Sequence, residues 1–384
     1  MNVALPQIAP HPITSIVLKV VAGCNLNCSY CYEYNMGDDS WKRKPPSMSD
    51  EIVRLVGRRI REHAEAHRLE RFGVSLHGGE PMLLGAARLV EIATMIREAV
   101  GDATQLDFGM QSNGTLLDED AARQLSQAGV AIGISLDGTA QSNDANRVDK
   151  HGRGSHAAAI RGIDAVRRVA SAHFGGILCV VDAASDPRGT FEHLAGLGPP
   201  MIDFLLPHGT WDRLPPLKAS ATDVRYGIWL ASAFDAWFDG AHQSISIRYF
   251  ESIISGMMGG NSTTEAIGPG PVTLVTIATD GAIEGVDTMK SVHPGAQELG
   301  IGLSLATLDQ ARSIEHVRMR QVGVDALAEE CLRCPIVKTC GGGYFPHRFG
   351  RGRGFGNPSV YCEDIRLLTD HIRRRIRDAV RGVQ

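Results

Sequence analysis

Short apolar runs alternate with longer amphipathic stretches through the first half of the chain. Period-two apolar runs predict strands, and stretches with apolar residues three and four positions apart predict helices. The strands are expected near residues 15–21, 73–76, 105–111, 131–136, 176–181 and 202–206. The helices are expected at 50–67, where Ser47 or Ser49 is the N-cap, and at 87–100, 119–128, 156–171 and 190–197.

Six βα repeats predict an α/β fold with a parallel sheet, and they favour an open or partial (β/α)6 barrel over a doubly wound sheet. The loops after the carboxyl ends of such strands converge at one mouth, where chemistry is expected. After residue 206 the pattern changes to a linker with a helical stretch near 223–238. A hairpin-like run follows at 272–285, with Asp280-Gly281 as its turn, so a second domain is expected from about residue 263.

Charge and targeting signals exclude several classes of protein. The net charge is −4, and the arginines near the C-terminus have no interleaved aromatic residues, so they indicate a solvated helix face and no nucleic-acid partner. The chain has no signal-peptide pattern and no long apolar run, which predicts a cytoplasmic protein without a membrane partner. Seven of the eight cysteines fall in two tight groups, a distribution that favours metal sites over disulfides.

The first cysteine group directly follows the first predicted strand. Cys24, Cys28 and Cys31 are separated by three and then two residues. Three thiolates on one loop can hold three irons of a [4Fe–4S] cluster and leave the fourth iron open for a ligand. A zinc site is the alternative, but it wants a fourth ligand, and His11 is the one histidine nearby.

This triad, with Tyr30 before its third cysteine, resembles the radical S-adenosylmethionine (SAM) superfamily. The resemblance implies that the open iron binds SAM and that reductive cleavage yields a 5′-deoxyadenosyl radical. After the second strand comes a stretch similar to the superfamily's Gly-Gly-Glu-Pro motif, which contacts the SAM amino group. Its residues here are Gly78, Gly79, Glu80 and Pro81. Glycines allow close backbone approach, and a carboxylate suits an ammonium group.

Polar residues at the ends of later strands extend the resemblance. It implies that Asn113 and Ser135 contact the SAM ribose or carboxylate and that Arg147 pairs with the SAM carboxylate. The alternative for all three is an ordinary turn or capping role. Cys179 lies within an apolar strand and is expected to be a buried core thiol.

The second group contains Cys331, Cys334, Cys340 and Cys362, enough for a closed site. Spacing alone leaves a fully ligated [4Fe–4S] cluster and a structural zinc site with four cysteine ligands open. Downstream of a radical SAM core, the group resembles the SPASM extension, which implies an auxiliary [4Fe–4S] cluster. The full extension has seven cysteines, and Tyr344 stands where one of them is expected, so the inner auxiliary cluster is predicted to be absent.

The resemblance also predicts the domain organisation and a catalytic base. The chain divides into a radical SAM (β/α)6 core at 1–206, a helical linker at 207–262 and a reduced SPASM-like domain at 263–384. Asp287 falls where sulfatase-maturing relatives place a catalytic carboxylate, and it is nominated as the base, with Glu284 as second choice. An aspartate beside a hairpin is equally often a turn residue.

Several stretches resemble peptide maturases that form three-residue cyclophanes, and this resemblance implies an oxidoreductase that crosslinks a Cβ to an aromatic ring. They are residues 17–20, 39–41, 204–212, 340–344 and 357–362. The implied partners are a precursor peptide and an external reductant of flavodoxin or ferredoxin type. His208 and Trp211 are candidates for the peptide site, although Trp211 is equally an interdomain packing residue.

Two alternatives to crosslinking stay open. One is a radical peptide maturase of another outcome, such as thioether formation or oxidation of Ser or Cys to formylglycine. The other is a non-catalytic iron–sulfur or zinc protein, which leaves the Gly-Gly-Glu-Pro motif unexplained.

Overall fold

A computed structural model of the chain describes residues 9–382, which form one continuous sheet covered by helices. The sheet has ten strands in the order β10-β9-β8-β1-β2-β3-β4-β5-β6-β7. In chain order, β1 to β10 are Ser15–Val21, Arg71–Gly78, Gln105–Ser112, Val130–Ser135, Phe174–Val180, Met201–Leu205, Ser246–Ile247, Leu274–Ile277, Ala282–Glu284 and Glu298–Gly302.

Eight helices accompany the first seven strands, and five more lie in the C-terminal third. Helices α1 to α8 are Asp50–His67, Ala86–Val100, Glu119–Gln127, Ala140–Asn146, His156–Val169, Pro187–Gly196, Arg225–Asp239 and Arg248–Met257. Helices α9 to α13 are Leu308–Arg312, Glu315–Arg318, Glu329–Leu332, Val337–Cys340 and Cys362–Gly382.

The first six strands are parallel and neighbour one another in chain order, so the predicted α/β fold with a partial (β/α)6 barrel is confirmed. The sheet stays open, because β1 pairs with β8 and not with β6. One face of the sheet is apolar, as in Leu18 of β1, Leu76 of β2 and Ile132 of β4, which are all fully buried. The other face carries Ser75 and His77, which line a cavity. The parallel direction brings the loops after β1 to β6 to one edge.

Local sequence determines where helix α1 begins and which of its faces is buried. The Ser49 side chain accepts a hydrogen bond from the Ile52 backbone N–H, so Ser49, and not Ser47, is the N-cap. Val53, Val56 and Ile60 repeat at helical spacing, and all are buried against the sheet.

The C-terminal third continues the same sheet. Strand β8 pairs in parallel with β1, with Ser15 opposite Leu274, and β9 and β10 add antiparallel strands beyond it. The β8–β9 turn has the predicted Asp280-Gly281 pair, with Gly281 at φ 81°. The predicted boundary at residue 263 therefore separates no independent sheet, and the three-part domain division stays a prediction; its residues 1–8 and 383–384 lie outside the described residues.

Within residues 9–382, every helix is too short or too polar to cross a membrane.

Candidate active site

The first cysteine group lies in the loop after β1 and borders a large cavity of about 540 Å³. Cys24, Cys28 and Cys31 all line this cavity and are partly accessible from it. The Leu26 backbone N–H points to the Cys24 sulfur at 3.4 Å, and the Cys31 N–H bonds the Cys28 carbonyl at 3.0 Å, so the loop is folded around its own thiols. Burial raises the pKa of Cys24 to about 11 and that of Cys31 to about 12.

Thiols with raised pKa values ionise only when a cation compensates, as a bound iron does. The Gly78-Gly79 turn after β2 gives a second indication that the cavity fits a ligand. A Cβ on Gly79 would lie 2.0 Å from the Gly23 carbonyl oxygen and 2.1 Å from the Tyr34 hydroxyl. Only glycine permits this close passage of backbone beside the cysteine loop, and both glycines line the cavity.

Glu80 has protein partners for both carboxylate oxygens. It accepts hydrogen bonds from the Ser112 hydroxyl at 2.8 Å and from the backbone N–H groups of Met82 at 3.0 Å and Asn113 at 2.7 Å. The side chain is 1% exposed and borders the cavity, and burial raises its pKa despite these donors. Glu80 ties the loops after β2 and β3 together, and its contact with a SAM ammonium stays a prediction.

Asn113, Ser135 and Arg147 line the same cavity as the cysteines. The Asn113 amide donates to Asn25 at 2.8 Å, which connects it to the cysteine loop, and Ser135 accepts a hydrogen bond from Gln111 at 2.9 Å. Pro81 begins a short helical turn just behind them. The structure thus brings the predicted SAM-contacting residues to the wall of one cavity, except Pro81, which does not line it.

Arg147 is held in place by a buried hydrogen-bond chain. Its guanidinium donates to the Tyr30 hydroxyl at 2.9 Å, and that hydroxyl donates to the Asp137 carboxylate. Burial disfavours the charge on Arg147, but the neighbouring Tyr30 and Asp137 raise its pKa well above the usual value, so it stays cationic. This explains why Tyr30 precedes the third cysteine, since it links the loop to Arg147.

The second cysteine group lines a separate cavity of about 280 Å³. Cys331 and Cys340 are buried, and Cys334 and Cys362 are partly exposed. The start of α13 is fixed by Asp364, which accepts from the Gly227 N–H at 2.8 Å and pairs with the fully buried Lys218.

The arrangement of these four sulfurs favours one of the two metals that the sequence left open. Tetrahedral zinc would hold its thiolates about 3.8 Å apart, given Zn–S bonds of about 2.3 Å. Among residues 9–382, no three cysteine sulfurs lie within 4.8 Å of one another. A four-iron cluster lies between its thiolates and holds them further apart, so the cavity fits a cluster better than a single ion.

Asp287 lies behind the cavity wall and not on it. Its carboxylate accepts a hydrogen bond from the Tyr32 hydroxyl at 2.7 Å and lies 3.8 Å from the Lys19 ammonium. Burial opposes its ionisation, but Lys19 lowers the pKa of Asp287 below the usual range. Tyr32 lines the cavity whereas Asp287 does not, and the Tyr32 hydroxyl connects the nominated base to the cavity by a hydrogen bond.

A buried charge network supports this wall. Glu33, two residues after Cys31, pairs with Lys19 at 2.5 Å and with Lys290 at 2.5 Å. The network ties β1 and the cysteine loop to the helical turn at Asp287–Ser291. Glu284 lies beside it, 3.5 Å from Lys44, with neither carboxylate oxygen hydrogen-bonded among the described residues and no contact with the cavity.

The cavity is also lined by one residue that the sequence analysis proposed for the peptide site and by others that it missed. His208 lines the cavity, but Trp211 packs against Gly350 and donates to the Pro358 carbonyl, so Trp211 is a packing residue. His347 and Tyr344 also line the cavity. The charged Lys19 within an apolar strand was the one signal for the buried network.

Residues 18–181 match the family model described as the radical SAM superfamily. This region is a radical SAM domain. The chain is accordingly an enzyme that contains a radical SAM domain, and its cofactors are SAM and [4Fe–4S] clusters. The matched span begins in β1 and ends just after β5, so it includes the first cysteine group and the Gly-Gly-Glu-Pro motif.

Curated relatives extend beyond the radical SAM domain. A cysteine-type anaerobic sulfatase-maturating enzyme of Clostridium perfringens strain 13 is 22% identical over 97% of this chain and 100% of its own length. A serine-type anaerobic sulfatase-maturating enzyme of Klebsiella aerogenes is 27% identical over 60% of this chain and 52% of its own length.

Solved structures share the fold. The native sulfatase-maturating enzyme anSMEcpe with bound AdoMet and Cp18Cys peptide aligns with a TM-score of 0.80 at 20% identity, over 96% of this chain and 99% of that one. Streptococcus suis SuiB bound to precursor peptide SuiA aligns with a TM-score of 0.58 at 12% identity, over 90% of this chain and 75% of that one.

Proposed function

We propose that this radical SAM enzyme modifies a precursor peptide by removing a hydrogen atom from one of its side-chain Cβ atoms. The lining of the large cavity carries the proposal. Its wall includes the three cysteines, Gly78, Gly79 and Glu80 together with His208, Thr288 and Tyr344. A cofactor bound at the cysteines would leave the wall at His208, Thr288 and Tyr344 for a second molecule.

The comparisons support a peptide as that second molecule. The names of two structural neighbours include a bound peptide, and the curated relatives mature another protein, the sulfatase. The identities are low, so the peptide of this chain has to be found by experiment.

The chain's own residues have distinct tasks in this proposal. Cys24, Cys28 and Cys31 would hold the cluster, while Gly78 and Gly79 let the backbone approach SAM. When bound, the cluster and SAM supply a carbon radical that abstracts hydrogen. Asn113, Ser135 and Arg147 would orient SAM, because their side chains already border the cavity in fixed positions.

The second cysteine group would hold the auxiliary cluster, which would accept the electron that the substrate loses. Cys331, Cys334, Cys340 and Cys362 supply all four ligands, so this site has no open position for substrate. A reductant of flavodoxin or ferredoxin type would reduce the first cluster from outside. Asp287 stays the candidate final proton acceptor, reached through Tyr32.

Two products are open to this chemistry. The sulfatase-maturating relatives favour oxidation of a peptide Ser or Cys to formylglycine. A Cβ-to-ring cyclophane crosslink is the second candidate, and the comparisons lend no support to it in particular. It is favoured by the chain's motifs and by Tyr344. This residue lines the cavity and occupies the sequence position at which the full SPASM extension has a cluster cysteine.

Mass spectrometry of the peptide encoded beside the enzyme separates these products. The purified enzyme is reconstituted anaerobically with iron, sulfide, SAM and a strong reductant. Crosslinking and serine oxidation both remove two hydrogens, so the product is also treated with an aminooxy reagent, which captures an aldehyde and leaves a crosslink unchanged.

Fragmentation of the product then locates a crosslink, because backbone cleavage between joined residues releases no fragment. A Cys24/Cys28/Cys31→Ala variant is the control. SAM cleavage that leaves the peptide unmodified, at every enzyme-to-peptide ratio, would refute the proposed peptide activity.

A further inference from the structure

Two histidines on the wall of the large cavity have ring nitrogens without partners. His208 Nδ1 and His347 Nε2 are buried and form no hydrogen bond with any described residue. The two rings lie 5.7 Å apart between centroids, and both side chains line the large cavity. Buried polar atoms without a partner are costly, and they commonly mark a place where a ligand supplies the missing hydrogen bond.

The backbone holds this pair rigidly. After Cys340 the chain turns through three glycines with positive φ, and the Arg348 guanidinium donates to the carbonyls of all three. The next turn, Phe345–Arg348, places His347 on the cavity wall. His347 also packs against the Tyr361 ring at 5.0 Å, so its orientation is fixed before any ligand binds.

Both imidazoles are neutral, and the wall around them is aromatic. Burial lowers the pKa of His208 to about 4 and that of His347 well below its usual value. The His208 ring also meets the rings of Tyr32 at 5.3 Å and Tyr344 at 6.0 Å. A neutral imidazole offers one N–H and one lone pair, and an aromatic wall favours a planar ring packed edge to face.

Three of the charged groups bordering the cavity form ion pairs, and the other two have neutral partners. Arg248 bonds Asp203, Glu265 bonds Arg320, and Glu33 bonds two lysines. Glu80 has three neutral donors and Arg147 has the Tyr30 hydroxyl, and both are the groups assigned to SAM. A charged substrate side chain at the histidines would therefore find no free opposite charge, whereas a phenol O–H can donate to one imidazole and accept from the other, and an indole N–H can donate to one of them.

We propose that His208 and His347 select a tyrosine or tryptophan of the bound peptide by hydrogen bonding to its phenol O–H or indole N–H. This rests on the proposed function, since it describes the peptide that occupies the cavity. A phenylalanine would fill the same space but leave both nitrogens unpartnered.

The test measures binding of side-chain analogues to the SAM-loaded holoenzyme and needs no turnover. Ligand-observed NMR titrations compare 4-methylphenol with toluene, and 3-methylindole with 1,3-dimethylindole, which lacks the N–H. We expect the hydrogen-bonding member of each pair to bind about fivefold more tightly. In His208→Phe and His347→Phe this preference is expected to disappear while toluene still binds.

The controls separate a local effect from misfolding. His193→Phe alters a half-exposed imidazole that bonds His156 at 3.0 Å outside the cavity, and it should keep the preference. His347→Gln retains hydrogen-bonding capacity and should restore part of it if His347→Phe folds poorly. Equal binding within both pairs in the wild type, or an unchanged preference in both Phe variants, would overturn the inference.

The proposed function fails separately. If the enzyme discriminates between the analogues but modifies no peptide, the inference about the histidine pair stands and the proposed peptide activity is refuted. If the enzyme modifies a peptide but does not discriminate between the analogues, the peptide activity stands and the histidine inference is refuted.

Discussion

The two cysteine sites differ in how their ligands are gathered. In the first, three thiols come from one loop, residues 24–31, and border a cavity of about 540 Å³. In the second, four thiols come from residues 331–362 and border a cavity of about 280 Å³. Cys331, Cys340 and Cys362 lie in α11, α12 and α13, and Cys334 lies between α11 and α12. The two cavities have no lining residue in common.

This difference follows from ligand number and chain geometry. A short loop supplies three ligands and leaves one side of the site to other strands, so a fourth position stays open to a cofactor. Four ligands, three from separate helices and one from the loop between α11 and α12, close a site, which suits electron storage better than substrate binding. The first site depends on glycines and polar strand ends, and the second depends on long-range packing.

The largest expected effect comes from removing one site at a time. Cys24/Cys28/Cys31→Ala should lose all SAM cleavage and about four of about eight irons. Cys331/Cys334/Cys340/Cys362→Ala should lose a similar amount of iron but still cleave SAM. Iron and sulfide analysis with chromatography of SAM products checks both. Zinc in the second site of the wild type would replace the auxiliary-cluster assignment, and SAM cleavage by the first variant would refute the radical SAM site.

A smaller effect is expected from filling the close passage at Gly79. Gly79→Ala places a methyl group about 2 Å from the Gly23 carbonyl and the Tyr34 hydroxyl, and relief requires the cysteine loop to move. We expect about 3 kcal/mol of lost unfolding free energy and weaker SAM binding. Gly109→Ala in β3 is the matched control, because its Cβ would meet only the Ala131 oxygen, at 3.9 Å. Equal stability of the two variants in urea would contradict the tight passage.

The buried histidines predict a pH dependence specific to the first cavity. Because burial lowers the pKa of His208 to about 4, the unfolded chain binds more protons than the folded one between its ordinary pKa and about 4. Stability should therefore be full above pH 7 and fall as the pH is lowered through that window, by at most about 3 kcal/mol from this group. Urea titrations at neutral and mildly acidic pH check it. His208→Gln should flatten the dependence, whereas a profile identical to the wild type would exclude His208 as its source.

The smallest stability effect is expected at the charge network behind the cavity. Asp287→Asn removes a carboxylate that accepts from Tyr32 and faces Lys19, and we expect a loss of about 1–2 kcal/mol. If Asp287 receives the substrate proton, this variant should cleave SAM but release little modified peptide. Tyr32→Phe interrupts the same path and should behave similarly. Full peptide modification by Asp287→Asn would rule out the base role.

Much of the fold could be predicted, because local patterns of apolar and polar residues specify its strands, helices and turns. Six apolar runs with intervening helices predicted the parallel strands β1 to β6, and the Asp280-Gly281 pair predicted the β8–β9 turn. The pairing of β8 with β1 could not be predicted, because it joins residues about 259 positions apart and no local signal specifies that partner. The consequence is a single sheet across the expected domain boundary.

The sequence by itself predicted the chemistry of the first site, because its cysteine spacing and the Gly-Gly-Glu-Pro stretch are local motifs. For the second site, the spacing of the cysteines left a cluster and a zinc ion open. Only the tertiary structure decided how that chemistry is arranged. It placed Asp287 behind Tyr32 and gave both Glu80 carboxylate oxygens hydrogen-bond donors from the protein. It also brought His347 to the wall of the cavity that the first cysteine group lines. These outcomes depend on packing between distant segments, where burial and the need to pair each polar group determine which side chains reach the cavity.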